Sequence, residues 1–178
     1  MSSDSIQVAG IMSKDVKTET SDQNIQAVCK IMHENNIGSV VIVNPENDFN
    51  SDNKKNNNAH KPAGIITERD IVRTIGKLEP SLLTTPLHEL MSKPLITITS
   101  NGSINDAIKT MQLKDIRRLV VVEKQEMVGI ITDKDILRAI IKNQSLIPTI
   151  LNDELLMQNR PMFEQFREYW FSDILQRH

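Results

Sequence analysis

The chain contains two copies of one segment, and this internal duplication limits the possible folds more than any other feature. An offset of 79 residues aligns residues 11–43 with residues 90–122 without a gap, and 12 of these 33 positions are identical. A second offset, of 65 residues, aligns residues 64–73 with residues 129–138, with 7 of 10 positions identical. Because an internal repeat is one structural unit used twice, both copies must share a fold.

Each copy has the same order of hydrophobic patterns. A short β-branched segment, residues 16–20 or 95–99, precedes apolar residues at helical spacings of three and four. Two apolar runs and a second helical pattern follow. Asn24 and Ser103 are expected to be helix N-caps, and Asp106 completes a capping box with Ser103. The sequence therefore predicts an α+β (mixed α/β) fold in which each copy is a β-α-β-β-α unit.

One unit of about sixty residues buries too little surface to be stable alone, so the two copies are expected to pack about a pseudo-twofold axis. The predicted boundaries are residues 6–78 for the first repeat, 86–142 for the second and 143–178 for a C-terminal helical extension. The linker at residues 76–86 contains one glycine and two prolines, as expected where a helix ends and the chain crosses over.

The first copy is longer than the second. The offset falls from 79 to 65, so the first copy contains 14 extra residues, and these lie within residues 44–63. This segment has seven asparagines in twenty residues and no valine, leucine or isoleucine, which predicts a flexible loop. The second copy makes the same connection with residues 123–128, a length suited to a β-hairpin.

Composition excludes several classes of function. The 21 basic and 23 acidic side chains give a net charge of −2, and no basic block is present, so a nucleic-acid partner is not expected. The longest apolar runs have four residues, too short for a membrane span, and the first ten residues do not resemble a signal peptide. Cys29 is the single cysteine and the four histidines are scattered. The chain is therefore expected to be cytoplasmic, without a metal site or catalytic centre.

The motif with the most chemical content is G-I-I-T-x-x-D, at residues 64–70 and 129–135, where an apolar strand runs into a helix. A helix N-terminus offers unpaired N–H groups and partial positive charge to an anion such as phosphate. The threonines could donate to that phosphate, and the aspartates could accept hydrogen bonds from a ribose diol. The same T-x-x-D spacing is also an ordinary capping box, so the pattern alone is compatible with a nucleotide site and with a structural cap.

The paired turns, together with the Met-Ser-Lys starts at Met12 and Met91 and the segments IGSVVIV and IRRLVVV, resemble a tandem pair of CBS domains. These regulatory modules are named after cystathionine β-synthase, and the resemblance covers about residues 6–142. It implies a pseudo-twofold pair, usually a homodimer, whose clefts bind adenosine compounds such as AMP, ADP, ATP or S-adenosylmethionine. The adenine nucleotide would be a regulatory ligand and not a catalytic cofactor.

The resemblance also implies which residues contact the nucleotide. It assigns Thr67 and Thr132 to phosphate, Asp70 and Asp135 to the ribose, Ile37 and Ile116 to the surroundings of the adenine, and Arg117 and Arg118 to the phosphate chain. The first copy has Gly38 and Ser39 at the positions of the two arginines. The two clefts are therefore expected to be unequal, or the arginines to be a solvated edge.

Aromatic residues are concentrated near the C-terminus, where five of the six lie between residues 163 and 171. Their spacing predicts an apolar helix face within residues 161–176, which packs on the chain itself, on a dimer mate or on a protein partner. The sequence thus favours a non-enzymatic nucleotide sensor. The alternatives are a constitutive oligomerising adaptor with empty clefts and a regulatory subunit of a separate protein, acting through this helix.

Overall fold

The structure of the chain is a computed structural model that describes residues 6–45, 61–76, 83–124 and 126–143. The first repeat consists of β1 (Thr18–Thr20), α1 (Ile25–Asn35), β2 (Ser39–Val43), β3 (Pro62–Thr67) and α2 (Glu68–Ile75). After a short helix, α3 (Leu87–Leu90), the second repeat consists of β4 (Thr97–Thr99), α4 (Ile104–Lys114), β5 (Arg118–Glu123), β6 (Glu126–Thr132) and α5 (Asp133–Lys142). This order confirms the predicted β-α-β-β-α units and the mixed α/β class.

Each repeat forms a three-stranded sheet, with strand orders β1-β2-β3 and β4-β5-β6. The first two strands of each sheet are parallel, with Thr18 opposite Val41 in one repeat and Thr97 opposite Val120 in the other. Both members of the second pair follow those of the first by 79 residues, so the two repeats have the same register. Parallel neighbours need a crossover connection, which α1 and α4 provide.

The core of the first repeat lies between α1 and its sheet. Its buried cluster consists of Val28, Met32, Val40, Ile42, Ile66 and Leu87. The second repeat buries the residues at the corresponding positions of α4, β5 and β6, namely Ala107, Met111, Leu119, Val121 and Ile131. The duplicated hydrophobic pattern therefore corresponds to a duplicated core.

Both crossover helices begin and end as the sequence predicts. The Asn24 side chain accepts hydrogen bonds from the backbone N–H of Gln26 and Ala27, at 3.0 and 3.3 Å. Ser103 and Asp106 form the predicted capping box. The residues after the two helices, Asn36 and Asp115, have positive φ angles of 51° and 49°. Asparagine and aspartate tolerate this left-handed conformation better than most residues, so the two helices stop at equivalent points.

The segment that opens each repeat pairs with the other repeat. Ser13 forms an antiparallel bridge with Ile130, with two N–H···O hydrogen bonds of 2.9 Å. Ser92 forms the equivalent bridge with Ile65, with distances of 2.9 and 3.2 Å. The chain accordingly divides into two compact units that interleave the repeats. One contains residues 6–12, 101–119 and 131–143, and the other contains the remaining described residues.

Strand β3 begins inside the segment that was predicted to be a loop. Pro62 and Ala63 are its first two residues, and Pro62 lies opposite Val43, next to an irregularity in the register. Proline lacks an N–H donor but is tolerated as the first residue of a strand, so it does not prevent pairing here. The rest of the predicted loop, residues 46–60, and the predicted helix at residues 161–176 lie outside the described residues.

Candidate functional site

The two G-I-I-T-x-x-D motifs end equivalent strands and begin equivalent helices. We call residues 67–70 the first T-turn and residues 132–135 the second T-turn. Thr67 is the N-cap of α2 and Thr132 is the N-cap of α5, both with extended backbone conformations. Each T-turn therefore stands where a strand ends and the unpaired N–H groups of a helix begin.

Both T-turns form complete capping boxes with the same geometry. Oδ2 of Asp70 accepts hydrogen bonds from the Thr67 N–H at 2.9 Å and from the Thr67 hydroxyl at 2.7 Å. The Asp70 N–H donates to Thr67 Oγ1 at 3.3 Å. Thr132 and Asp135 repeat these three distances. In this state each threonine hydroxyl donates to aspartate, so it reaches a phosphate only by rotating out of the cap.

The second carboxylate oxygen of each aspartate lies outside the cap, and its partner differs between the repeats. Oδ1 of Asp70 accepts a hydrogen bond from the Ser92 hydroxyl at 3.1 Å. Oδ1 of Asp135 accepts from the Arg138 guanidinium at 3.4 Å. The Arg138 side chain is 70% exposed, and ion pairs so exposed contribute little stability. Both Oδ1 atoms are therefore held by partners that a ligand hydroxyl can replace.

The residue before β2 or β5 lies beside the T-turn of the same repeat. The Glu68 N–H donates to the carbonyl of Gly38 at 3.2 Å, and the Asp133 N–H donates to the carbonyl of Arg117 at 3.0 Å. Arg117 is exposed, whereas Arg118, the first residue of β5, is half-buried. The structure thus brings Arg117 next to the start of α5.

The side chains at this junction differ between the repeats. A β-carbon added to Gly38 would lie 2.9 Å from Oε2 of Glu68, so the Glu68 carboxylate rests against the glycine. Oδ1 of Asp133 instead accepts from the N–H of Lys134 at 2.8 Å, on its own helix. Sequence reasoning missed Glu68 because it treated that position as a spacer. The signal was available in the aligned repeats, where Gly38 with Glu68 corresponds to Arg117 with Asp133.

The two isoleucines expected near the adenine occupy equivalent places. The N–H of Ile37 donates to the Met32 carbonyl at 3.1 Å, and that of Ile116 donates to the Met111 carbonyl at 3.0 Å. Both isoleucines are half-buried, and Ile37 packs against the core of the first repeat. Each therefore immediately precedes the residue that is bonded to the T-turn.

Other chemistries have no comparable arrangement in the described part of the chain. Within residues 6–45, 61–76, 83–124 and 126–143, no three His, Cys, Asp or Glu side chains are placed to hold a metal ion. None of the helices in these ranges has the length and apolar character needed to cross a bilayer. Partial burial raises the pKa of the Cys29 thiol, which disfavours the nucleophilic thiolate.

Comparisons with known proteins agree with the site and the fold. An uncharacterised protein of Methanopyrus kandleri is 34% identical over 138 residues, which are 75% of this chain and 62% of the relative. The chain therefore spans less than two thirds of that relative. The CBS domain-containing protein YhcV of Bacillus subtilis is 29% identical over 146 residues, 82% of this chain and 93% of the relative.

A solved structure with the same fold is the CBS domain pair of protein MJ0100, in complex with 5′-methylthioadenosine and S-adenosyl-L-methionine. Its TM-score is 0.63 at 25% identity, over 78% of this chain and 98% of that one. The family model of the CBS domain matches residues 8–77 and again residues 87–142. With both repeats matched, the chain belongs to the CBS-domain family.

Proposed function

We propose that this CBS pair is a non-enzymatic regulatory module, a cytoplasmic homodimer that binds an adenosine-containing ligand at its T-turns. The observation that carries the proposal is the repeated capping box with one aspartate oxygen outside the cap. A ribose presents two neighbouring hydroxyl donors, and a carboxylate is an acceptor-only group that suits them. Binding of S-adenosylmethionine and methylthioadenosine to the related MJ0100 pair supports this ligand class.

The ligand would occupy one T-turn as follows. Its ribose hydroxyls donate to Oδ1 of Asp70 or Asp135 and replace Ser92 or Arg138. Its adenine lies towards Ile37 or Ile116, which precede the T-turn contact in each repeat. Any phosphate lies at the helix N-terminus, where the partial positive charge favours an anion.

Regulation follows if the ligand prefers one arrangement of the chain over another. Ser92 belongs to the segment that opens the second repeat, yet its hydroxyl donates to Asp70 of the first repeat. A ribose that replaces this hydroxyl changes how the opening segment is held. Occupancy of the first T-turn would thereby reach the second repeat.

A panel of ligands tests the proposal. Adenosine, AMP, ATP, S-adenosylmethionine and NAD are each added to the full chain, with GTP as the control, and the melting temperature is measured. A ligand at a hundred times its dissociation constant adds about 2.7 kcal/mol of stability, so shifts of several degrees are expected with adenosine compounds. The double variant Asp70→Ala with Asp135→Ala should lose these shifts.

The second candidate function is a constitutive oligomerising adaptor or regulatory subunit with empty clefts. It is favoured by exposed apolar side chains on α2 and α5, namely Val72, Ile75 and Ile141, which are 69%, 56% and 55% exposed. No shift with any adenosine compound at millimolar concentration would select this candidate over the sensor.

A further inference from the structure

We infer that the two T-turns take adenosine ligands of different charge. The first T-turn takes an uncharged or positively charged adenosine compound, and the second takes a phosphorylated one. The inference rests on the proposed function, because it assigns a ligand class to each proposed site. The residue that distinguishes the two sites is Glu68, at the start of α2.

The Glu68 carboxylate occupies a place that exists only because residue 38 is glycine. The Glu68 N–H is bonded to the Gly38 carbonyl at 3.2 Å, which fixes the backbone of the two residues together. A β-carbon on Gly38 would lie 2.9 Å from Oε2 and 3.1 Å from Cδ of Glu68. Any side chain at residue 38 would therefore displace the carboxylate.

This carboxylate opposes the charge that the helix end provides. The N-terminus of α2 has the partial positive charge that attracts a phosphate, but Glu68 places a full negative charge at the same helix end. A phosphate approaching Thr67 is repelled by Glu68, whereas a neutral nucleoside is not and a sulfonium group is attracted. Charge at this position therefore selects against phosphorylated ligands.

The second T-turn has the opposite arrangement. Arg117 replaces the glycine, and its carbonyl accepts the Asp133 N–H at 3.0 Å. The shorter Asp133 is bonded through Oδ1 to the N–H of Lys134 at 2.8 Å, so its carboxylate is held on its own helix. The next helix position is basic in both repeats, Arg69 and Lys134, and does not distinguish them. Arginine beside a helix N-terminus is suited to a phosphate.

The test is calorimetric titration of the full chain with adenosine, S-adenosylmethionine and AMP in two backgrounds. Asp135→Ala leaves the first T-turn to be measured, and Asp70→Ala leaves the second. In the Asp135→Ala background, AMP should bind about tenfold more weakly than adenosine. Adding Glu68→Gln should strengthen AMP binding about tenfold, equivalent to about 1.4 kcal/mol, with adenosine affinity changed less than about twofold.

In the Asp70→Ala background, AMP should bind more tightly than adenosine, and Arg117→Gln should weaken AMP binding about tenfold. Glu126→Gln is the matched control, since it removes the same charge from the exposed first residue of β6 and should leave every affinity unchanged. A gain-of-function variant, Gly38→Arg with Glu68→Asp, copies the second repeat into the first. It should bind AMP more tightly than adenosine.

The outcomes separate this inference from the proposed function. If adenosine binds and neither Glu68→Gln nor the copied pair changes the ratio of AMP to adenosine affinity, the charge assignment is wrong and the sensor stands. If no adenosine compound binds in the wild-type chain, the proposed function fails and the assignment fails with it.

Discussion

At the scale of single residues, Asp70 has two roles that two substitutions separate. Asp70→Asn retains a carbonyl oxygen for the Thr67 cap but replaces the ribose acceptor with an amide donor. We expect it to weaken adenosine binding at the first T-turn by tenfold or more, since a hydrogen bond to a charged group contributes about 1.5–3 kcal/mol. Thr67→Ala should instead lower the free energy of unfolding by about 1 kcal/mol while adenosine affinity changes little. Urea denaturation and calorimetric titration measure the two effects. Similar losses from both variants in both measurements would contradict the assignment of Asp70 to the ribose.

Sequence reasoning placed some site residues correctly and missed others for physical reasons. The spacing of Thr67 and Asp70 follows from local helix geometry, so the capping box was predictable. The contact of Ser92 with Asp70 joins residues 22 positions apart, and no local pattern encodes it. The position of the Glu68 carboxylate depends on a rotamer and on the missing side chain of Gly38. Such contacts become visible only when the chain is folded.

At the scale of elements, the exchanged opening segments predict a reciprocal effect. Val8 is fully buried, and its N–H donates to the Gly102 carbonyl at 2.8 Å, just before α4. Leu87, at the equivalent position 79 residues later, is also buried, and its N–H donates to the Gln23 carbonyl at 2.8 Å, just before α1. Val8→Ala should therefore speed amide hydrogen exchange in α4, and Leu87→Ala should speed it in α1.

Amide exchange followed by mass spectrometry distinguishes the helices, because sub-global opening is local to a cooperative unit. The expected cost is about 2 kcal/mol for Val8→Ala and about 2–5 kcal/mol for Leu87→Ala. The two variants are each other's controls. If each one instead loosens the helix of its own repeat, the exchange of opening segments is wrong.

The elements themselves were predictable because their signals are local. Asn24 and Ser103 precede apolar residues at helical spacing, and both are N-caps in the structure. The start of β3 was predicted too late, because Pro62 and Ala63 follow an asparagine-rich run and carry no strand signal of their own. The pairing of Ser13 with Ile130 was not predicted, since it joins two segments far apart in sequence. Long-range partners depend on how elements meet, which periodicity does not specify.

At the scale of the whole molecule, duplication supplied one fold twice and divergence then gave the two copies different sites. The identical register of β1 with β2 and of β4 with β5 shows how closely the framework was kept. The divergence lies at the T-turns, in Glu68 against Asp133 and in the partners Ser92 and Arg138. A module with one site for each of two ligand classes compares their concentrations, whereas two identical sites would respond to one ligand only.

The homodimer is also a prediction about the whole molecule, and its surface can be located. Val72 and Ile75 of α2 are 69% and 56% exposed, and we propose that they lie in the dimer contact. Buried apolar residues at the centre of an interface carry most of its binding free energy. The variant Val72→Lys with Ile75→Lys should therefore raise the dimer dissociation constant by about a hundredfold or more, since each lysine loses solvation without gaining a partner.

Sedimentation equilibrium of the full chain measures this constant without added ligand. Leu113→Lys is the matched control, because Leu113 is 80% exposed on α4 and is an equally apolar surface residue. We expect Leu113→Lys to remain dimeric. Dissociation by Leu113→Lys alone would place the contact on α4, and a wild-type chain that is monomeric at 100-fold the concentration of a typical assay, about 0.1 mM, would show that the homodimer prediction is wrong.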